Sequence, residues 1–164
     1  MFENTKMPEG MSSETLEHLV NPKNYGKLDK PSCVGVAVDE KTGEYVIFYA
    51  LLDGETIKDV SYATNGCQDT VVIGSMFTQM IKGNNLEYAN RAIQKMLEKL
   101  GGMTPQQQIC ADIVFSAYIA SMKNFENLQK GQKEEMHVLK MKDSCDAVGM
   151  QNENEGENKD GQTL

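Results

Sequence analysis

Apolar and polar positions along this chain follow two different periods, and the change from one to the other divides it into a β region and a helical region. "CVGVAVDE" sets Cys33, Gly35 and Ala37 against Val34, Val36 and Val38, a period of two. "GEYVIFYALL" is rich in β-branched and aromatic residues, and "TIKDVSYAT" returns after Asp53-Gly54. That dipeptide suits a hairpin because both central residues of a type I′ turn need positive φ. Three antiparallel strands are expected, over residues 33–39, 44–52 and 56–63.

After Asn65-Gly66 the period lengthens to that of a helix. "CQDTVVIGSMFTQMIKG" puts Ile73, Phe77, Met80 and Ile81 on one face, with Gly83 at the C′ position. "NNLEYANRAIQKMLEKLGG" repeats the pattern through Leu86, Ala89, Ile93, Met96, Leu97 and Leu100. "TPQQQICADIVFSAYIASMKN" opens with a capping box: Thr104 as N-cap, Pro105 at N1 and Gln107 at N3. Ahead of the strands, "SSETLEHLV" is a short helix capped by Ser12 or Ser13 and stopped by Asn21-Pro22. The expected fold is α+β: one three-stranded antiparallel sheet packed against a helical layer.

The expected organisation is a flexible lead-in over 1–12, a domain over 13–127, a docked extension over 128–147 and a disordered acidic tail over 148–164. For the extension, which includes "MHVLKMKDSC", the pattern does not choose between strand and helix. The tail "QNENEGENKDGQTL" is nearly free of apolar residues.

Composition narrows the function classes. The chain has 164 residues, 40% of them hydrophobic, and a net charge of −8, so phosphate backbones and anionic membranes are disfavoured partners. Neither a membrane-spanning run nor a secretory leader is legible, which leaves the cytoplasm as the expected location. Four cysteines stand far apart, with no C-x-x-C pair, and fit reduced thiols rather than a disulfide framework.

Two of those thiols sit where chemistry is possible. Cys67 stands where a strand gives way to a helix, and unsatisfied N–H groups there favour the thiolate. Cys110 lies in the second turn of the capped helix, beside Ile109, Ile113 and Val114. Each can equally be a core cysteine that packs as a small hydrophobe. Asp69 and Glu44 are candidate oxygen ligands, though acidic residues at such places are usually solvated. Cys145, in a polar stretch, reads as a free thiol, and the helical Met residues fall at core spacing.

"HLVNPKNYGKLDKP", "DGETIKDVSYATNGC", "MIKGNNLEYA" and "LGGMTPQQQICADI" together resemble the IscU/NifU-type iron–sulfur cluster assembly scaffolds, over residues 15 to 125. The resemblance implies a non-enzymatic scaffold or carrier. It would hold a [2Fe-2S] cluster, iron or zinc, receive sulfur from a cysteine desulfurase, and pass clusters to apo iron–sulfur proteins. A homo-oligomer is also compatible. Cys67 and Cys110 match the second and third family cysteines. The first falls on Thr42 of "TGE", with Glu44 in place of the family aspartate, and Ile109 takes the place of the family histidine. In that register Cys33 is a core thiol or a displaced replacement ligand. The resemblance also leaves open two other roles: a zinc-dependent persulfide acceptor working through Cys110, or a metal-free adaptor that kept the fold.

Overall fold

A computed structural model describes residues 13–100 and 104–141. The expected lead-in, the acidic tail and Cys145 lie outside the described residues. The elements follow in the order α1 (Ser13–Val20), β1 (Cys33–Asp39), β2 (Tyr45–Asp53), β3 (Thr56–Thr64), α2 (Gln68–Ile81), α3 (Leu86–Leu100), α4 (Pro105–Gln129) and β4 (His137–Met141).

The sheet corrects the expectation of three antiparallel strands. It has four, in the order β3-β2-β1-β4, and β4 runs parallel to β1. The physical reason is that β1 would otherwise be a bare edge, with a row of unpaired N–H and C=O groups. "HVLKM" fills it from the far end of the sequence, pairing Gly35 with His137 and Asp39 with Met141. The β2–β3 hairpin also differs in its turn. The two-residue loop is Gly54-Glu55, and only Gly54 has positive φ, at 62°. Positive φ at the first central position alone is the type II′ pattern, with the same right-handed twist.

Alternation places Val46, Phe48 and Ala50 of β2 in the core, with Ile57, Val60 and Tyr62 of β3. A bulge between Leu51 and Leu52 lets both β3 runs keep this face. Helices α2 and α4 cover it. Phe77 packs against Phe115 and Tyr118, with ring centroids 5.2 and 5.4 Å apart, and Tyr118 meets Phe48 at 5.6 Å. These near-perpendicular aromatic pairs form the centre of the core.

α4 crosses β1 antiparallel to it. Asn124 Oδ1 accepts the Val34 amide at 2.9 Å, and Gly35 lies beneath Ala117 and Ser121. The earlier turns of α4 therefore lie over the later part of β1. The Thr104 capping box is formed: Gln107 N donates to Thr104 Oγ1 at 3.2 Å, and Thr104 N to Gln107 Oε1 at 3.1 Å. α1 is fastened to α2 through Ser75, whose Oγ accepts the Lys23 amide at 2.7 Å and lies 2.6 Å from His18 Nδ1. Among the described residues no helix is long and apolar enough to cross a membrane.

Candidate metal centre

β3 ends at Thr64, and the next residues turn the chain onto the face of the sheet. Thr64 Oγ1 donates to Tyr45 O at 2.6 Å and accepts the Gly66 amide at 2.9 Å, and Asn65 Oδ1 accepts the Tyr45 amide at 2.7 Å. That turn delivers Cys67 as the N-cap residue of α2, in extended conformation. Cys110 arrives from the opposite side, in the second turn of α4 and only 1% exposed.

The two sulfurs lie 3.3 Å apart. The carboxylate of Asp69, in the first turn of α2, completes a group of three donors whose ligand atoms all lie within 4.8 Å of one another. Two thiolates on one tetrahedral zinc, each at about 2.3 Å, stand roughly 3.8 Å apart. An outward shift of about half an ångström therefore brings the pair to ligating distance, and two sulfurs with one oxygen suit iron or zinc.

The two thiols have different environments. Burial pushes Cys67 up, but the Thr70 amide, the Cys110 thiol, the Thr70 hydroxyl and the Asp69 amide together outweigh it and leave Cys67 below its ordinary value. This is the effect of the open N-terminus of α2 on its capping residue. Cys110 is pushed up to about 12, first by burial and then by the neighbouring Cys67 sulfur. Gln106 Nε2 donates to it at 3.6 Å.

The remaining candidates fall elsewhere. Cys33 opens β1 opposite Ala50, whereas Thr64, leading to Cys67, pairs with Val46. Four strand positions, about 13 Å, separate those levels of the sheet. Cys33 is 2% exposed, its sulfur 4.0 Å from Ala50 O, and burial pushes its thiol up to about 12. The structure does not bring it to the pair. Thr42 and Glu44 lie in the β1–β2 turn, at the same end of the sheet as Cys67, and Asn65 Nδ2 reaches Gly43 O at 3.2 Å. Thr42 is exposed and its hydroxyl accepts the Glu44 amide at 3.2 Å. Glu44 is not in the three-donor group. Ile109, half-buried before Cys110, offers no donor atom.

Asp69, which the sequence pattern offers only as one candidate oxygen ligand beside Glu44, is the carboxylate that the structure places beside the two sulfurs. Its one signal is position, in the first helical turn two residues after Cys67, and solvated acids share that position.

The chain is 30% identical over 127 residues to an iron-sulfur cluster assembly scaffold protein IscU of Aquifex aeolicus, covering 76% of this chain and 80% of that one. A second relative, an IscU 1 of Archaeoglobus fulgidus with the same description, is 29% identical over 107 residues, covering 65% of this chain and 70% of its own length. Among solved structures, the N-terminal part of a nitrogen-fixing NifU-like protein from Brucella abortus superposes with a TM-score of 0.56. It covers 71% of this chain and 94% of that one at 17% identity, a likeness of fold. The profile of the NifU-like N terminal domain matches residues 11–132, and the chain belongs to that family.

Proposed function

We propose that this protein is an iron–sulfur cluster assembly scaffold that takes iron, a [2Fe-2S] cluster or zinc as its cargo between Cys67 and Cys110. Asp69 is the oxygen donor beside them. The single observation that supports the reading is the meeting of those two sulfurs at 3.3 Å with the Asp69 carboxylate alongside. The family resemblance gives the proposed chemistry its direction: sulfur from a cysteine desulfurase, and delivery to apo iron–sulfur proteins. The chain's own part is to hold two thiolates at fixed separation and to keep one of them partly open to an incoming donor. Binding rather than bond-making chemistry makes it a carrier, not an enzyme, and the cytoplasm is its proposed location.

Anaerobic reconstitution with iron and sulfide tests the reading. Wild type is expected to take up metal and sulfide with thiolate charge-transfer absorption, and Cys67→Ser and Cys110→Ser to lose both. Absence of metal and sulfide from the wild type would sink it.

The unequal exposure of the two thiols favours a second reading, sulfur acceptance from a persulfide. Half-buried Cys67, rather than Cys110, is then the acceptor. Its thiolate attacks the terminal sulfur of the donor's persulfide, a Cys67 persulfide forms, and the donor cysteine leaves as thiolate with no net oxidation. Mass spectrometry after incubation with a small-molecule persulfide places the added sulfur on Cys67 or refutes this reading.

A further inference from the structure

We infer that Gln106 is a positioning residue for the cargo: its side-chain amide donates to the Cys110 sulfur and compensates the charge that sulfur carries as a ligand. The inference rests on the metal-holding function proposed above.

The glutamines of "TPQQQIC" have three different partners. Gln107 closes the capping box with Thr104, through bonds of 3.1 and 3.2 Å. Gln108 Nε2 donates to the buried Asp112 carboxylate at 3.0 Å. Gln106 Nε2 donates to Cys110 Sγ at 3.6 Å. The last two are i, i+4 pairs, which a helix sets on neighbouring turns of one face. Pro105 and the capping box fix the turn that carries Gln106, so its reach to the sulfur is built into the start of α4.

The two sulfurs are not supported alike. Cys67 caps α2, where the backbone amides of Asp69 and Thr70 donate toward it. Cys110 lies one turn inside α4, where each backbone N–H goes to a carbonyl four residues back. A charge on Cys110 has therefore to be met by side chains. Ile109, directly before it, offers no donor. The Thr70 hydroxyl, 1% exposed with its residue, serves both sulfurs from the core side. Gln106 serves Cys110 from the exposed side. Cys110 itself is 1% exposed, so little water can replace a missing donor.

An N–H donated to a metal-bound sulfur draws electron density from it. Such bonds help to set the reduction potential of an iron–sulfur cluster, and losing an outer partner of a ligand commonly weakens metal binding tenfold or more. Glutamine supplies the donor without adding a charge of its own.

The test loads the reduced full-length chain with cobalt(II) or zinc without oxygen. Gln106→Leu removes the donor at an exposed position, so its urea midpoint should stay at the wild-type value. Its thiolate-to-cobalt charge-transfer band is expected to move to lower energy, because a sulfur without the donor gives up an electron more readily. Its zinc affinity, measured by chelator competition, should fall about tenfold. Gln106→Arg keeps N–H donors at that reach and should return both toward wild type. Gln108→Leu, on the same turn, should do the reverse: lower the urea midpoint and leave the band in place. A wild-type band and affinity in Gln106→Leu, beside a Cys110→Ser protein that has lost binding, overturns the role of Gln106 and leaves the centre standing. An affinity loss with the band unmoved also overturns it, since a loosened helix would do the same. Failure of the wild type to bind either ion overturns both.

Discussion

Gly35 and Ser121 meet backbone to backbone: a methyl group on Gly35 would stand 2.0 Å from the Ser121 amide nitrogen and 2.4 Å from the Ala117 carbonyl oxygen. α4 therefore rests on β1 more closely than any side chain at that position permits. Since α4 also carries Cys110, the depth at which it sits sets where that sulfur stands relative to Cys67.

Gly35→Ala should accordingly be among the most damaging single-methyl changes in the chain. The clash is with backbone, which cannot turn aside as a side chain can. Overpacking of this kind typically costs 1–3 kcal/mol, and about 3 kcal/mol or more is expected here. Urea melts of the two proteins measure it. A midpoint within error of wild type would show that α4 can lift without cost.

The three described thiols should react with iodoacetamide in a fixed order. Cys67 is half-buried and its thiol is lowered, so it leads. Cys110 and Cys33 are buried with thiols pushed up to about 12, so they lag by orders of magnitude. Timed alkylation followed by peptide mass spectrometry gives the order, and early labelling of Cys33 would contradict the described packing of β1.

Under oxidation without metal, Cys67 and Cys110 should join. Their sulfurs need to close from 3.3 Å to about 2.05 Å, and Cys33 has no comparable partner among the described residues. Non-reducing peptide mapping is expected to find the Cys67–Cys110 bond, and on the proposed reading the oxidised protein should take up less zinc than the reduced one. Scrambled pairing would argue against the described separation.

Glu134 gives a pH signature at the acid end. Hydrogen bonds from Asn124 and Asn127, with a further contribution from His137, hold its carboxyl at about 2 instead of 4.5. Between those values the folded chain binds fewer protons than the unfolded one at this position. Its stabilising contribution is therefore complete above pH 4.5 and is lost as the pH falls to about 2. Glu134→Gln removes that slope, so the difference in urea midpoint between wild type and variant should shrink steadily over this range. Parallel curves would mean that the hydrogen bonds from Asn124 and Asn127 to Glu134 do not survive in solution.

Thr104→Ala removes one half of the capping box at the start of α4, leaving the Gln107 amide without its acceptor. A loss of about 1 kcal/mol is expected from the urea midpoint. On the proposed reading, zinc affinity should weaken modestly with it, because Cys110 lies just beyond in the second turn.

Local chemistry in the sequence carried far, and its limits are those of local chemistry. Thr104, Pro105 and Gln107 announced their helix because a cap is made by residues three apart. The alternation of "CVGVAV" announced β1 for the same reason. β4 was not legible as a strand: five residues with two exposed side chains, Val138 and Lys140, become one only through pairing with β1, about a hundred positions earlier. The Gly54-Glu55 turn shows a smaller limit, since "DGE" is compatible with a loop placed one residue either way. At the site, each cysteine taken alone looked as much like packing as like chemistry. Only the crossing of α4 over the sheet brings the two sulfurs together, and no spacing rule encodes a crossing. Sequence leaves Cys33 either a core thiol or a displaced ligand, and its distance from Cys67 is set by the pairing of β1 with Ala50, which no local pattern encodes.

The two sulfurs are 43 positions apart in the chain. Bringing the ends of such a loop together costs on the order of 3 kcal/mol of chain entropy, which folding has met before any ion arrives. On the proposed reading, uptake and stability are then one equilibrium seen from two sides: whatever seats between α2 and α4 tightens the protein, and whatever loosens those helices hands it on. Delivery needs no bond-breaking catalyst in such a carrier. It needs a recipient that can ease two helices apart.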